Sequence, residues 1–158
     1  MYEYRRMTRE ERAKVLAGRK VLRRPWHAPP HLEQSDGVYL ISAACYEHRS
    51  IMATEARRTA WEATLLDRLV SEAIHDIDVC AWVVLPNHYH LLIEGDLRSF
   101  ARRIGRLHNG SATQWNREDA TPGRKGWHRF SDRAIRSERH YYASLNYLHA
   151  NPVKHGHA

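Results

Sequence analysis

The chain has 158 residues, 42% of them hydrophobic, and a formal charge of +7, enough apolar material for one domain with a real core. Its longest nearly apolar run, Val79 to Pro86, spans eight residues, so no segment reads as a membrane-spanning helix. Two cysteines, Cys45 and Cys80, exclude a disulfide framework or a cysteine-based zinc module, and the charged N-terminus does not read as a secretory signal. A cytoplasmic, nucleoid-associated location is the expectation.

Charge is segregated along the chain. Residues 1–30 hold nine Lys and Arg against three acids, residues 31–96 four against eleven, and residues 97–158 twelve against four. Of the 25 basic residues 21 are Arg, whose planar fork grips phosphate bidentately as Lys cannot. Two basic segments around an acidic middle point to a nucleic-acid partner; a merely solvated surface is the plain alternative.

Residues 1–30 read as a basic arm, helical or partly disordered to about Arg24 and ended by Pro25, Pro29 and Pro30. Residues 31–158 read as the domain proper. Gly37 to Cys45 has the β-branched and aromatic content of a strand. Thr54 caps a predicted helix to about Ile74, on which Trp61, Leu65 and Leu69 recur at helical spacing. A second strand is expected over Ile77 to Leu85. Both of its alternating sets, Val79, Ala81, Val83 and Cys80, Trp82, Val84, are largely apolar, as in a strand covered on both faces.

Pro86-Asn87 then closes a hairpin into a third strand, His88 to Glu94. Asp96 caps a helix from Leu97 to about Trp115, on which Arg98, Arg102 and Arg106 share one face with Arg103 beside them. A short strand is expected within Trp127 to Ile135, and a last helix from Ser137 to about Ala150, stopped by Pro152. On it Tyr141, Leu145 and Leu148 form the stripe that packs on the sheet. The order β-α-β-β-α-β-α points to an α+β fold with a single antiparallel sheet packed with α-helices.

Along the third strand side chains alternate, so His88, His90 and Glu94 share one face while Tyr89, Leu91 and Ile93 face the core. Two imidazoles at i and i+2 can converge on a divalent ion, although chance alone gives about one His-x-His pattern in a chain this rich in histidine. A plain surface or core pair is the other reading. Tyr147 and Asn151, four apart on the last helix, would bring a phenol and an amide oxygen together; a rim tyrosine and a helix-ending Asn-Pro would look the same. Trp26, Trp115 and Trp127 are either base-stacking or core residues.

Two longer runs carry a resemblance. Val83 to Glu94, VVLPNHYHLLIE, and Tyr147 to Gly156, YLHANPVKHG, resemble the two signature blocks of the HUH-type tyrosine transposases, and among them the REP-associated tyrosine transposases. The likeness extends from Arg24 onward through WHAPPH, AACYEHR, WNRED and DRAIRSERH. It implies a ferredoxin-like HUH nuclease fold, a divalent metal (Mg²⁺ or Mn²⁺) at His88, His90 and Asn151, and Tyr147 as nucleophile. The activity implied is cleavage and rejoining of single-stranded DNA hairpins through a 5′-phosphotyrosine. The partners implied are REP-type hairpins; the stripe of Arg98, Arg102, Arg103 and Arg106 and the basic arm are the candidates for phosphate contacts, with Arg133, Arg136 and Arg139 nearer the nucleophile. Either a monomer or a homodimer fits. Relatives usually continue past this block, whereas eleven residues follow Tyr147, so regulation by a C-terminal tail is expected to be missing or different. Two competing readings are a non-catalytic hairpin-binding protein derived from such a transposase and a hydrolase that uses the two histidines with water.

Overall fold

A computed structural model of the chain describes residues 7–21, 36–70 and 76–156. Within the basic arm a helix, α1 (Arg9–Val21), forms behind a reciprocal cap: Glu11 Oε2 accepts from the Thr8 N–H at 2.6 Å and Thr8 Oγ1 from the Glu11 N–H at 3.3 Å. Arg5, Arg6, Arg23, Arg24, Trp26 and the prolines of the arm lie outside the described residues.

Residues 34–158 contain a separate compact unit. Its elements are β1 (Asp36–Ala44), a 3-10 turn (Tyr46–His48), α2 (Glu55–Leu69), β2 (Ile77–Val84), β3 (His88–Asp96), α3 (Leu97–Glu118), β4 (Ser131–Ala134) and α4 (Glu138–Lys154). The strands lie in the order β2-β3-β1-β4 with every neighbouring pair antiparallel. This is the β-α-β-β-α-β arrangement of a ferredoxin-like sheet, with α4 appended, and it is the α+β class the sequence predicts. Thr54, Asp96 and Ser137 cap their helices as expected, each side chain accepting a backbone N–H of the first turn. Helix α2 stops at Leu69, short of Ile74; residues 71–75 are outside the described set.

The sheet separates two apolar clusters. On one face Tyr89, Leu91 and Ile93 of β3 meet Trp61, Leu65 and Leu69 of α2 and Phe100 and Ile104 of α3. On the other, Leu92 and Leu40 meet Leu148 of α4. The alternation of β3 therefore sends His88 and His90 to the α4 side. Trp115 and Trp127, 4% and 7% exposed, belong to the larger core, which settles both as packing residues and not as stacking platforms. Tyr89 is also buried there, its Oη 2.8 Å from His108 Nε2, and the His108 ring stacks on Trp127 at 4.3 Å.

Three details depart from the sequence pattern. The pairing of β2 with β3 shifts between Val79 and Ala81. This bulge puts Val79 with Val84 on the larger core and Ala81 with Val83 on the α4 side, so the strict alternation expected for β2 breaks at Cys80. Helix α4 also continues through Pro152 to Lys154. A proline in the last turn removes one N–H, and the end is held instead by His155 N–H to Asn151 O and Gly156 N–H to Val153 O, with Gly156 at φ +69° turning the chain away. Finally, the buried stripe of α4 is Ser144, Leu148 and Asn151, with Tyr141 and Leu145 only half-buried.

Candidate active site

The antiparallel register sets Ser42 of β1 and Val83 of β2 on either side of His90, and Ala44 beside His88. Helix α4 crosses this face. Leu148 docks it onto Leu92 and Leu40, and the preceding residue, Tyr147, then falls above His90: the phenolic Oη and His90 Nε2 form a hydrogen bond of 3.3 Å. The rings meet edge to face at 5.1 Å. Two turns further on, the His155 ring lies 4.9 Å from that of His88, while the His88 and His90 rings are 5.0 Å apart. The four rings thus form one patch shared by β3 and the end of α4.

Asn151 lies between those two contacts on the same line of the helix, four residues from each. It is completely buried, and neither its Oδ1 nor its Nδ2 has a hydrogen-bond partner. An amide buried in this way costs about 1–3 kcal/mol unless something arrives to bond it. Among the described residues no three His, Cys, Asp or Glu side chains converge as a metal group. A cation at the two histidines would need an oxygen of another kind, and the Asn151 amide is chemically suited: two imidazoles and a neutral oxygen are compatible with Mg²⁺ or Mn²⁺.

Burial, followed by the neighbouring His88 and His155 rings, pushes the His90 pKa down to about 4, against a hydrogen bond to the Ile41 carbonyl that raises it. At neutral pH the ring is uncharged and keeps one lone pair. Tyr147 remains 38% exposed while its oxygen rests on His90, so the residue is reachable from solvent.

No protein-family model and no curated protein matches the sequence. Among solved structures the chain is similar to a REP-associated tyrosine transposase bound to a REP hairpin: 26% identity over 78% of this chain and 71% of that one, with a TM-score of 0.54. The chain shares the fold of a transposase. That likeness supports a transposase-like function in DNA processing. A second structure, a protein of Deinococcus radiodurans R1 assigned to the transposases, aligns at 14% identity over 76% of this chain and 94% of that one, with a TM-score of 0.49.

On this transposase fold the predicted arginines fall into three groups. Arg98, Arg102 and Arg106 are exposed along α3, across the sheet from Tyr147. Arg103 is committed elsewhere: it pairs with Asp76 and donates to the Leu69 carbonyl, bracing α3 against the end of α2, and so drops out of the basic stripe. Arg133 is exposed on β4 opposite Leu40, which places it on the His90 face. Arg136 and Arg139 are exposed at the entry to α4.

Sequence reasoning missed Ser42, Asn87, Lys154 and His155. Ser42 Oγ meets His90 Nδ1 at 2.7 Å and Asn87 Oδ1 meets His88 Nδ1 at 2.6 Å. Lys154 Nζ stands 5.2 Å from the centre of the Tyr147 ring. The signal for Lys154 was helical spacing from Tyr147, and for His155 the same line of α4; Ser42 needed the strand register, which composition does not carry. No helix among the described residues is long and apolar enough to cross a membrane.

Proposed function

We propose that the protein is a metal-dependent enzyme that cleaves and rejoins single-stranded DNA at hairpins, with Tyr147 as nucleophile and His88, His90 and Asn151 as the metal site. The observation that carries this reading is the 3.3 Å contact between the Tyr147 oxygen and His90 Nε2, next to a buried Asn151 amide with no partner. The hairpin-bound transposase of like fold supports DNA as the partner.

In the reaction, Tyr147 Oη forms a bond to the scissile phosphorus as the bond from phosphorus to the 3′ oxygen breaks. The phenol gives up a proton and the departing 3′ oxygen takes one, so the step balances without a co-reactant. The 5′-phosphotyrosine conserves the energy of the broken linkage, and attack by a 3′-hydroxyl reverses the step to join strands. A divalent cation, when bound, supplies positive charge beside a non-bridging phosphate oxygen. Leu148 holds the phenol over the sheet, and Lys154 and Arg133 add positive charge near the phosphate. Arg98, Arg102 and Arg106 serve binding, on the far face.

The test is to incubate the protein with Mn²⁺ and labelled hairpin oligonucleotides and to look for an adduct that survives denaturation. The adduct is expected with the wild type and absent from Tyr147→Phe, whose DNA affinity stays within about twofold. Hairpin binding with no adduct would support the non-catalytic reading, and cleavage that persists in Tyr147→Phe would support the hydrolase.

A further inference from the structure

Asn87, the last residue of the β2–β3 turn, is bonded at both ends of its carboxamide. One end meets the His48 carbonyl at 3.3 Å and the other meets His88 Nδ1 at 2.6 Å. A carbonyl oxygen only accepts, so the end facing His48 must be the NH₂ group and the end facing His88 the oxygen. That oxygen also only accepts. His88 Nδ1 must therefore carry the ring proton, which leaves the lone pair of the neutral ring on Nε2.

The carbonyl that orients Asn87 belongs to an unusual turn. Glu47 and His48 both adopt left-handed backbone conformations, at φ 56° and 48°, a region that residues with a Cβ rarely enter. The turn is pinned where it is needed: Cys45 N–H donates to the Asn87 carbonyl at 2.8 Å, Tyr46 N–H to Gly126 O at 2.7 Å, and Glu47 N–H to His128 Nε2 at 3.0 Å. Strained backbone of this kind persists where the surroundings over-determine it, and here they aim one carbonyl at one amide. His90 has a matching arrangement on β1. Ser42 Oγ meets its Nδ1 at 2.7 Å, which leaves Nε2 on the other side of the ring, 3.3 Å from Tyr147 Oη.

We propose that Asn87 is a positioning residue that sets the tautomer of His88, and that the Glu47–His48 turn acts through it, so that both histidines present Nε2 to the same space. The consequence for metal binding rests on the function proposed above; the tautomer itself does not.

The experiment records long-range ¹H–¹⁵N spectra of the imidazole rings in the metal-free full chain at neutral pH, with the His88 signals assigned by their loss in His88→Gln. The wild type is expected to show His88 protonated at Nδ1. Asn87→Leu is expected to move it to a mixture or to the Nε2–H form, whereas Asn87→Asp, which gives up the NH₂ bond to the His48 carbonyl but keeps a charged acceptor oxygen beside Nδ1, retains the Nδ1–H form. Titration of the same proteins with Mn²⁺ is expected to show affinity 10- to 100-fold weaker in Asn87→Leu and within about threefold of wild type in Asn87→Asp. An Nε2–H ring in the wild type, or a His88 tautomer indifferent to Asn87→Leu, would overturn the proposal. If the tautomers behave as expected and Mn²⁺ binds none of the proteins, the metal site fails and the role of Asn87 stands.

Discussion

Leu148 of α4 and Leu92 of β3 share the small apolar cluster on the His90 side of the sheet, both of them buried. Their packing, one residue after Tyr147 and two after His90, sets the height of the phenol above the histidines. Leu148→Ala is expected to cost about 2–5 kcal/mol of stability, as buried leucine truncations do. It should also reduce adduct formation far more than hairpin affinity, because α4 would no longer hold Tyr147 in place. Leu148→Met, which conserves volume, should restore most of both. Equal losses of binding and adduct formation in Leu148→Ala would show that this contact does not position the nucleophile.

Asn151 carries a trade between stability and metal binding. Its amide is buried with both polar atoms unpartnered, so replacing it with an apolar residue of similar size removes a desolvation penalty. Asn151→Leu is expected to leave the metal-free protein as stable or about 1–2 kcal/mol more stable in urea unfolding. The same substitution should weaken Mn²⁺ binding in calorimetry. A loss of several kcal/mol in the metal-free state would mean that the amide is hydrogen-bonded in solution, and would remove the case for a ligand there.

Binding and chemistry should separate across the sheet. Arg102 and Arg106 are exposed on α3, on the face opposite Tyr147. Replacing both with Ala is expected to lower hairpin affinity and to flatten the dependence of log K on log salt by about two units of slope, one for each lost phosphate contact. The single-turnover rate of bound hairpin should hold. Arg133→Ala, on the His90 face, should lower that rate. A fall in rate for the α3 pair at saturating DNA would place the scissile strand on the wrong side of the sheet for Tyr147.

How legible all this is in the sequence depends on which interaction decides each feature. Helix starts at Thr54, Asp96 and Ser137 are local hydrogen bonds and can be read off directly. The two faces of β3 follow from alternation, which puts His88 and His90 on one side, and the packing of Leu148 on that side brings Tyr147 to them. The bulge at Cys80 cannot be read, because it arises from pairing with β3 and leaves no mark on composition. Pro152 misleads because a proline in the last turn removes only one bond. The hydrogen bonds of Ser42 and Asn87 to the two imidazoles depend on register and on a left-handed turn at non-glycine residues, neither of which a propensity describes. Arg103 looks identical to its neighbours until Asp76 and the Leu69 carbonyl come within reach.

The buried histidine of the larger core makes stability depend on pH. Burial pushes the His108 pKa down to about 3, whereas in the unfolded chain the ring titrates near 6.5. The unfolded state therefore takes up a proton below about pH 6.5 that the folded state refuses. Stability contributed by the neutral ring is complete above that pH and is lost as the pH falls toward 3, by up to about 1.4 kcal/mol per unit. His90, lowered to about 4, acts with the same sign. In His108→Gln the amide oxygen can still accept from Tyr89 Oη, but nothing titrates at that position. The gap in unfolding free energy between wild type and His108→Gln should accordingly shift against the wild type by about 1.4 kcal/mol per unit as urea denaturation is repeated from pH 6 down to 4.5. Parallel pH profiles for the two proteins would mean that His108 takes up its proton in the native core, and that its stacking on Trp127 tolerates the charge.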